Sequence, residues 1–344
     1  CPSHLLEPSR TNLITYSEDF SNAAWTKSVN TAISANATTS PDGTQNADTI
    51  TWSTSGITTQ LYQVKSATGT SQSLSIFIKY ISGSGTNFLF SIGTIADASI
   101  NLTFTNSGAT LTGVAGVDIT SYKIEDYGNN WFRVSFAANY ANSNCEFSAY
   151  RPSGTGTDVY AIYGAQLESS TSYATSYIPT QGSAVTRVAD TANGAGNATV
   201  INSTEGVLYA EISALTNDAT SRRISISDGT NTNRIFLSYG TTSNNIRVYI
   251  VAGGVNVVDR YYIGATITNF NKIAIRWEVN NFSLWVNGLN VSEDLLGATF
   301  TSSVLNALSF NGATGGSPFY GNTKDIRVYN TALTDAELTT LTTI

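Results

Sequence analysis

Alternation of apolar and polar side chains along short segments is the feature that most constrains the fold of this chain. Leu74, Ile76 and Ile78 fall on one side of an extended segment. Ser75 and Phe77 fall on the other side, and this period of two is the spacing of a β-strand. Similar runs recur about every ten residues between turn-forming residues, with no helical period between them. The pattern predicts an all-β fold in which antiparallel strands form sandwiches.

The C-terminal half of the sequence predicts two successive hairpins and one short helix. Apolar alternation on both sides of a short turn predicts a hairpin over residues 273–286. The dipeptide Asn287-Gly288 then lies between two apolar runs, which is a strong signal for a second, two-residue hairpin turn. Thr334 and Glu337 have the spacing of a capping box, so a short helix is predicted near the C-terminus.

The length and the distribution of small residues indicate two domains. The chain has 344 residues, which is enough for two separate cores. A segment of small and polar residues around Gly194 and Gly196 separates two strand-rich blocks. We therefore predict two tandem antiparallel β-sandwich domains of the jelly-roll type, residues 1–185 and 205–344, joined by a linker at 186–204.

Charge and hydropathy argue against two classes of partner. Charged residues make up 12% of the sequence, against roughly 25% in ordinary soluble domains. The net charge is −7 and no run of Lys or Arg occurs, so the phosphate-neutralising surface that nucleic acid requires is not expected. The apolar stretches are far shorter than the roughly 20 residues that span a bilayer, so membrane insertion is not expected either.

Methionine and cysteine usage leaves the ends of the chain open to interpretation. The sequence has no Met, which indicates a processed product or a fragment of a longer chain. A mature lipoprotein would begin with Cys, as this chain does. However, Cys1 leads directly into apparent domain sequence, so truncation is favoured over lipidation. Whether Cys1 pairs with Cys145 stays open, because two cysteines do not define a redox compartment.

Short segments at both ends of the first block carry a family resemblance. They are LEPSRTNL at 6–13, YSEDF at 16–20, Trp25, YGAQLE at 163–168 and ATSYIPT at 174–180. These segments resemble the opening and the closing strand of a jelly-roll module, similar to carbohydrate-binding modules, that is common in phage tail-fibre and virion proteins. The resemblance implies that the first domain closes near 163–180.

The second block resembles a different module. The segments 282–288, 317–321 and 326–338 are similar to the concanavalin-A-like, laminin-G-type lectin sandwich. Together the two resemblances imply placement on a virion or cell surface and recognition of glycans. Neither resemblance implies a particular sugar.

Catalysis is not expected from this inventory of side chains. The chain has one histidine, His4, which excludes a histidine-based triad or a histidine metal cluster. Glycoside hydrolysis needs two carboxylates at a set separation across a cleft. The adjacent acidic pairs 18–19, 125–126 and 293–294 point to opposite faces if they lie on strands, so none forms such a couple alone. Convergence of distant carboxylates remains open.

Aromatic residues beside polar ones are the candidates for glycan binding, because rings stack on the apolar faces of sugars while polar groups meet the hydroxyls. The candidates are Trp285 with Asn287, Trp131 with Arg133, and Tyr261 with Tyr262. The alternative is that these rings fill the second face of a buried sheet. Trp277 shares its side with apolar residues and is predicted to lie in the core.

Calcium is the metal that the composition favours, because oxygen ligands abound and soft ones do not. In jelly-roll binding modules a structural calcium lies where the first and last strands meet. The resemblance therefore implies a site built from Glu18, Asp19, Asp48 and Glu168. A second candidate is the loop that contains Asp228 and Asn231, for which an ordinary Asx turn is the alternative. No organic cofactor is expected.

These observations lead to one functional prediction and two alternatives. The chain is predicted to be an adhesion or receptor-binding module of a phage tail or head fibre, located on the virion surface or otherwise extracellular. It would bind a host-surface or environmental polysaccharide without catalysis, contact other virion proteins and assemble as a homotrimer. The alternatives are a structural decoration protein of a capsid or extracellular filament without a glycan ligand, and a polysaccharide-degrading enzyme.

Overall fold

In the computed structural model, the chain forms two compact units. The described residues are 2–53, 59–83, 88–93, 97–104, 111–115, 118–151 and 156–344. One unit is Ser9–Val188, here called the N-terminal sandwich. The other combines Cys1–Pro8 with Ala189–Ile344 and is called the C-terminal sandwich. Cys1 itself and parts of two Gly-containing segments, 83–85 and 154–156, whose composition is typical of turns, lie outside the described residues.

The division differs from the predicted one at both ends of the N-terminal sandwich. Strand β1 (His4–Leu6) pairs with the strand Gly321–Tyr329, so the first residues join the C-terminal sandwich. Within the predicted linker 186–204, Ala195 exchanges two backbone hydrogen bonds with Leu308. Backbone pairing determines which unit these residues join, and composition does not reveal it.

The N-terminal sandwich is built from fourteen strands in the described part of the chain. They are β2 (Arg10–Asn12), β3 (Thr26–Lys27), β4 (Thr31–Thr38), β5 (Ala47–Ser53), β6 (Thr59–Ser66), β7 (Ser71–Ser82), β8 (Phe88–Ile92), β9 (Ala98–Phe104), β10 (Leu111–Ala115), β11 (Ile119–Asp126), β12 (Phe132–Asn139), β13 (Asn144–Arg151), β14 (Thr157–Ser169) and β15 (Val185–Arg187).

Two antiparallel sheets enclose the core of this unit. Sheet I has the order β10-β9-β8-β13-β6-β3, sheet II has the order β11-β12-β7-β14-β5-β4, and β2 pairs with β15. Leu61 and Phe147 of sheet I meet Leu74 and Ile76 of sheet II in one apolar cluster. We call the side of a sheet that points away from this core its outer face. The alternation predicted for β7 is confirmed, because its apolar side is fully buried.

Cys145 lies in this core and has no disulfide partner among the described residues. Burial, with the neighbouring carboxylate of Glu146, raises the pKa of Cys145 to about 12. The thiol is therefore protonated and unreactive at neutral pH. Its conceivable partner Cys1 is outside the described residues, so the pairing is not tested.

Strand β1 and ten later strands form the C-terminal sandwich within the residues described. The later strands are β16 (Gly206–Ala214), β17 (Arg222–Ser227), β18 (Arg234–Tyr239), β19 (Ile246–Ala252), β20 (Val255–Tyr262), β21 (Asn271–Trp277), β22 (Phe282–Val286), β23 (Leu289–Asp294), β24 (Ala307–Ser309) and β25 (Gly321–Tyr329).

These strands also form two antiparallel sheets around one core. Sheet III has the order β1-β25-β16-β21-β22-β23, and sheet IV has the order β20-β19-β18-β17-β24. Trp277 lies fully buried between them, as predicted. The predicted hairpins are confirmed as β21–β22 and β22–β23. At the second turn, Asn287 has φ 51° and Gly288 has φ 84°, which is the pair of positive φ angles that a type I′ turn requires.

Helix α1 (Asp335–Thr342) follows the last strand. Thr334 and Glu337 form the predicted capping box, in which each side chain accepts from the backbone N–H of the other residue. Two antiparallel sandwiches and a short C-terminal helix confirm the predicted all-β fold class. In the part of the chain described, no helix is long and apolar enough to cross a membrane.

Candidate functional site

The outer face of sheet II is covered by the chain itself, which overturns the predicted exposure of Trp131 and Arg133. Trp131 is 2% exposed and donates from its indole nitrogen to the carbonyl of Thr39 at 3.1 Å. Arg133 lies over the Phe77 ring and donates to the carbonyl of Thr175 at 2.5 Å. The segment after β14 therefore closes over these side chains and makes them part of the interior.

The outer face of sheet III is also covered, here by α1, and the predicted exposure of Trp285 is wrong for the same reason. Trp285 is 5% exposed and packs with Leu338 of the helix. Its indole nitrogen donates to Ser283 at 2.9 Å. Asn287 accepts from the backbone of Lys272 at 2.9 Å and holds the hairpin turn. The outer side of β22 carries polar residues beside Trp285, which is why the sequence pattern predicts exposure. The helix that covers this side comes about fifty residues later in the chain.

Tyr261 and Tyr262 do not act as one cluster, because neighbouring residues on β20 point to opposite faces. Tyr261 is 52% exposed on the outer face of sheet IV, on the same side as Asp259. Tyr262 packs against the core. Arg260 shares the direction of Tyr262 and forms an ion pair with Asp294 at 2.5 Å.

Three of the predicted calcium ligands border one cavity of about 590 Å³ in the N-terminal sandwich, namely Glu18, Asp19 and Asp48. The two oxygens of Asp48 accept from the backbone of Asn36 and Phe20 at 2.9 and 2.8 Å. Lys27 brings a positive charge close to Asp19 and Asp48. Among the described residues, no three His, Cys, Asp or Glu side chains form a metal-binding group.

The other predicted calcium ligands are occupied by protein donors. Glu168 is buried away from that cavity and accepts from Thr175 at 2.5 and 2.9 Å. Asp228 accepts from Thr230 and Asn233 in the Asx turn that was the alternative interpretation. Asn231 accepts from a neighbouring arginine. Calcium binding therefore stays a prediction. The oxygens of Glu168 and of the loop with Asp228 and Asn231 already accept hydrogen bonds from the protein, which leaves few lone pairs for an ion.

Two carboxylates come together at the Tyr163 hydroxyl, which lies 2.9 Å from both Glu18 and Asp42. Hydrogen bonds from Thr44 and Ser40 hold the pKa of the Asp42 carboxyl well below its usual range, although burial opposes this shift. A carboxylate kept ionised in this way does not serve as a general acid near neutral pH. Asp42 therefore does not fit the general-acid role of a glycoside hydrolase.

The outer face of sheet I presents a different surface, with polar side chains and the rings of two tyrosines. On β6, Gln60 and Tyr62 alternate with the core residues and are both partly exposed. On β13, Glu146, Ser148 and Tyr150 point the same way. The antiparallel register places Tyr62 opposite Ser148 and Gln60 opposite Tyr150. Five side chains thus share one face, on which Gln60, Tyr62 and Glu146 are partly exposed while Ser148 and Tyr150 are buried beside them.

Hydrogen bonds organise these side chains around Glu146. The amide nitrogen of Gln60 donates to Oε1 of Glu146 at 2.6 Å and to the Tyr150 hydroxyl at 2.8 Å. The hydroxyls of Ser148 and Tyr150 also donate to Oε1. Burial, with the nearby carboxylate of Glu146, raises the pKa of Tyr150 to about 12, so this hydroxyl remains a donor at neutral pH. The donors fix the carboxylate in one orientation.

Two groups of this face remain available to a ligand. Among the described residues, none donates to Oε2 of Glu146, and none hydrogen-bonds to the Tyr62 hydroxyl. Oε2 is an acceptor for a sugar hydroxyl, and the Tyr62 ring offers an apolar surface to stack on. We call Gln60, Tyr62, Glu146, Ser148 and Tyr150 the Tyr62 face.

The Tyr62 face was not among the residues predicted from the sequence. Its signal is present in the alternation of β13, where Glu146, Ser148 and Tyr150 interleave with Cys145 and other core residues. The prediction favoured tryptophans instead, because large rings dominate sugar stacking. Sequence alternation does not distinguish a face that solvent reaches from one that another segment covers.

Comparison with known proteins does not assign the chain to a family. No protein-family model matches the sequence, and no curated protein is significantly similar to it. Among solved structures, the CBM40 module of Ruminococcus gnavus IT-sialidase bound to α2,3 sialyllactose is 20% identical, with 44% of this chain and 94% of that chain covered and a TM-score of 0.37. Domains LG4-5 of the mouse laminin α1 chain are 11% identical, with 79% and 90% covered and a TM-score of 0.31. Sheep galectin-11 in complex with glycerol is 9% identical, with 41% and 99% covered and a TM-score of 0.27. These similarities assign neither a family nor a ligand.

Proposed function

We propose that the N-terminal sandwich binds an uncharged polysaccharide without catalysis, at the Tyr62 face. The observation that carries this proposal is the Tyr62 ring beside the carboxylate of Glu146, whose Oε1 is saturated by protein donors while Oε2 accepts none from the described residues. A ring next to fixed polar groups is the arrangement that sugar recognition uses, since the ring contacts C–H groups and the polar atoms set orientation.

The charge of the Tyr62 face supports an uncharged ligand. Glu146 is its one ionisable carboxylate, and Gln60 is neutral. An anionic sugar placed over Glu146 would meet like charge, which disfavours it. Single contacts of this kind are weak, and display of several copies raises the effective concentration and thus the avidity. The activity is therefore reversible adhesion.

Substitution of Tyr62 tests the proposal. Tyr62→Ala is expected to weaken binding to a neutral polysaccharide about tenfold, because loss of one stacking ring is worth about 1.4 kcal/mol. The measurement is affinity electrophoresis of the full chain against a panel of neutral plant, algal and bacterial polysaccharides, followed by calorimetry on the best ligand.

The matched control is Tyr122→Ala, since Tyr122 is a 50% exposed tyrosine on β11 of the other sheet. This variant is expected to bind like the original chain. Equal losses in the two variants would contradict the proposed site. If the original chain binds no polysaccharide of the panel, glycan binding at this face would be contradicted and the structural decoration role would be favoured.

We propose further that the chain is displayed on a phage virion, as part of a tail or head fibre. Support comes from the segments 6–13 and 174–180, which resemble those of virion jelly-roll modules. Immunogold labelling of purified virions tests the placement. Sedimentation equilibrium tests the predicted homotrimer, for which three chains per particle are expected.

A further inference from the structure

Three arginines and three aromatic rings alternate across the outer face of sheet IV. They are Arg223 on β17, Arg234 and Phe236 on β18, Arg247 and Tyr249 on β19, and Tyr261 on β20. Alternation points these side chains away from the core, and antiparallel pairing sets them beside one another. We call this set the arginine ladder.

Aromatic rings hold the guanidinium groups of the ladder in place. The guanidinium of Arg234 is 5.0 Å from the Phe236 centroid and 5.5 Å from the Tyr249 centroid. That of Arg247 is 4.7 Å from Tyr249 and 4.9 Å from Tyr261. Contacts at these distances are favourable cation–π interactions. A guanidinium held in this way loses less conformational freedom when it binds a ligand.

Positive charge on the ladder exceeds the negative charge that faces it. Asp259 pairs with Arg247 through two hydrogen bonds of 2.8 Å. Within the described residues, Arg223 and Arg234 have no carboxylate at ion-pair distance. Burial lowers the pKa of Arg223, and repulsion from Arg247 and Arg234 lowers it further. Two guanidinium groups thus lack counter-charges in a chain whose net charge is −7.

We propose that the arginine ladder is a second binding site, which takes an acidic polysaccharide through the carboxylates of its uronic-acid units. The pair of Arg247 and Asp259 shows how a carboxylate binds on this face, by two parallel hydrogen bonds. Arg223 and Arg234 offer further guanidinium donors to a carboxylate of the ligand, although one nitrogen of Arg234 already donates to Asn231. The Tyr261 ring, more than half exposed, provides a surface on which a sugar ring stacks.

Nucleic acid is the less favoured polyanion for this site. Its binding relies on many phosphate contacts. A chain of net negative charge, with three clustered arginines and no basic run, supplies few such contacts. A uronic-acid chain needs only one guanidinium per carboxylate and presents its charges at sugar spacing. The inference is independent of the Tyr62 face, which lies on the other sandwich and concerns uncharged ligands.

The test compares charge removal on and off the ladder. Arg234→Gln is expected to weaken binding of the full chain to polygalacturonate at least tenfold in calorimetry at low salt. Arg260→Gln is the matched control, because Arg260 is an exposed arginine on β20 that points to the opposite face and pairs with Asp294. It is expected to stay within twofold of the original chain. Equal losses in the two variants would overturn the proposal, as would absence of polygalacturonate binding by the original chain.

A gain-of-function variant guards against simple misfolding. Asp259→Asn removes the carboxylate that neutralises Arg247, so binding to polygalacturonate is expected to tighten about threefold. Weaker or unchanged binding of this variant would count against the ladder as a site. Duplex DNA is the competing polyanion, and tighter binding to DNA than to polygalacturonate would overturn the assignment of the ligand. Arg234→Gln is expected to bind neutral polysaccharide like the original chain, because that ligand is assigned to the Tyr62 face; a tenfold loss there would overturn the assignment of two separate sites.

Discussion

Each sandwich covers one outer face with its own chain and leaves the other partly exposed, and the contrast separates structural aromatic residues from binding candidates. On the outer sides of sheets II and III, Trp131 and Trp285 lie beneath other segments of the chain and hydrogen-bond within the fold. On sheets I and IV, Tyr62 and Tyr261 remain reachable by solvent. Coverage by the chain itself, and not residue type, decides which ring is available to a ligand.

The two exposed faces differ from each other in charge. The Tyr62 face centres on one carboxylate, Glu146, surrounded by neutral donors. The arginine ladder has three guanidinium groups and the single carboxylate of Asp259. Similar architecture with opposite charge leads us to expect different ligands, neutral on one face and acidic on the other.

The contrast between covered and exposed faces is tested most strongly by removing one aromatic ring from each and comparing the loss of stability. Trp285→Ala is expected to lower the free energy of unfolding by about 3–5 kcal/mol, because it leaves a cavity beneath α1. Tyr62→Ala is expected to lower it by less than about 1 kcal/mol, since its ring is partly solvated. Guanidinium-induced unfolding measures both. Similar changes in the two variants would show that the faces are not distinct in this way.

Ionic strength sharpens the contrast between the two exposed faces. Raising NaCl from about 0.05 to 0.5 M is expected to weaken polygalacturonate binding about tenfold, because salt screens the ladder's guanidinium groups. Neutral polysaccharide binding is expected to change less than about twofold, since uncharged ligands lack a Coulombic contribution. Titrations at both salt concentrations measure this. Parallel salt dependence for the two ligands would argue that they share one site.

A smaller effect is expected from loosening the cover itself. Thr334→Ala removes the N-cap of α1 and is expected to cost about 1 kcal/mol of stability. Because α1 lies over Trp285, the variant should also increase quenching of tryptophan fluorescence by acrylamide. Thr339→Ala, an exposed change within the same helix, serves as the control. Equal quenching in the two variants would show that the cap does not hold the cover in place.

The sequence predicted much of the fold because its strands obey a local rule. Alternation identified β7 with its buried side, and the Asn287-Gly288 turn fixed the hairpin register, since both signals lie within a few residues. Whether another segment covers a sheet face is not encoded within a few residues in this way. Leu338 packs on Trp285 from a distant part of the sequence, and the chain near Thr175 closes over Arg133 in the same way.

The candidate sites were harder to predict than the fold for a related reason. Polar residues with the same alternation were assigned to binding on sheets II and III, where the chain excludes solvent. The useful residues, such as Glu146 and Arg234, lie on strands that were recognised only as strands. Their significance depends on cross-strand neighbours from β6 and β19, which sequence spacing alone does not identify.

The pairing of His4 with Thr323 has a consequence for how the chain is made. A ribosome delivers β1 before the whole N-terminal sandwich and β25 well after it, so β1 has no partner strand until the intervening residues have been made. The N-terminal sandwich, contiguous in sequence, can complete itself earlier. A fragment that starts after Pro8 would expose the hydrogen-bonding edge of β25, which is a template for association between molecules. Expression boundaries that respect this strand should therefore give the more soluble product.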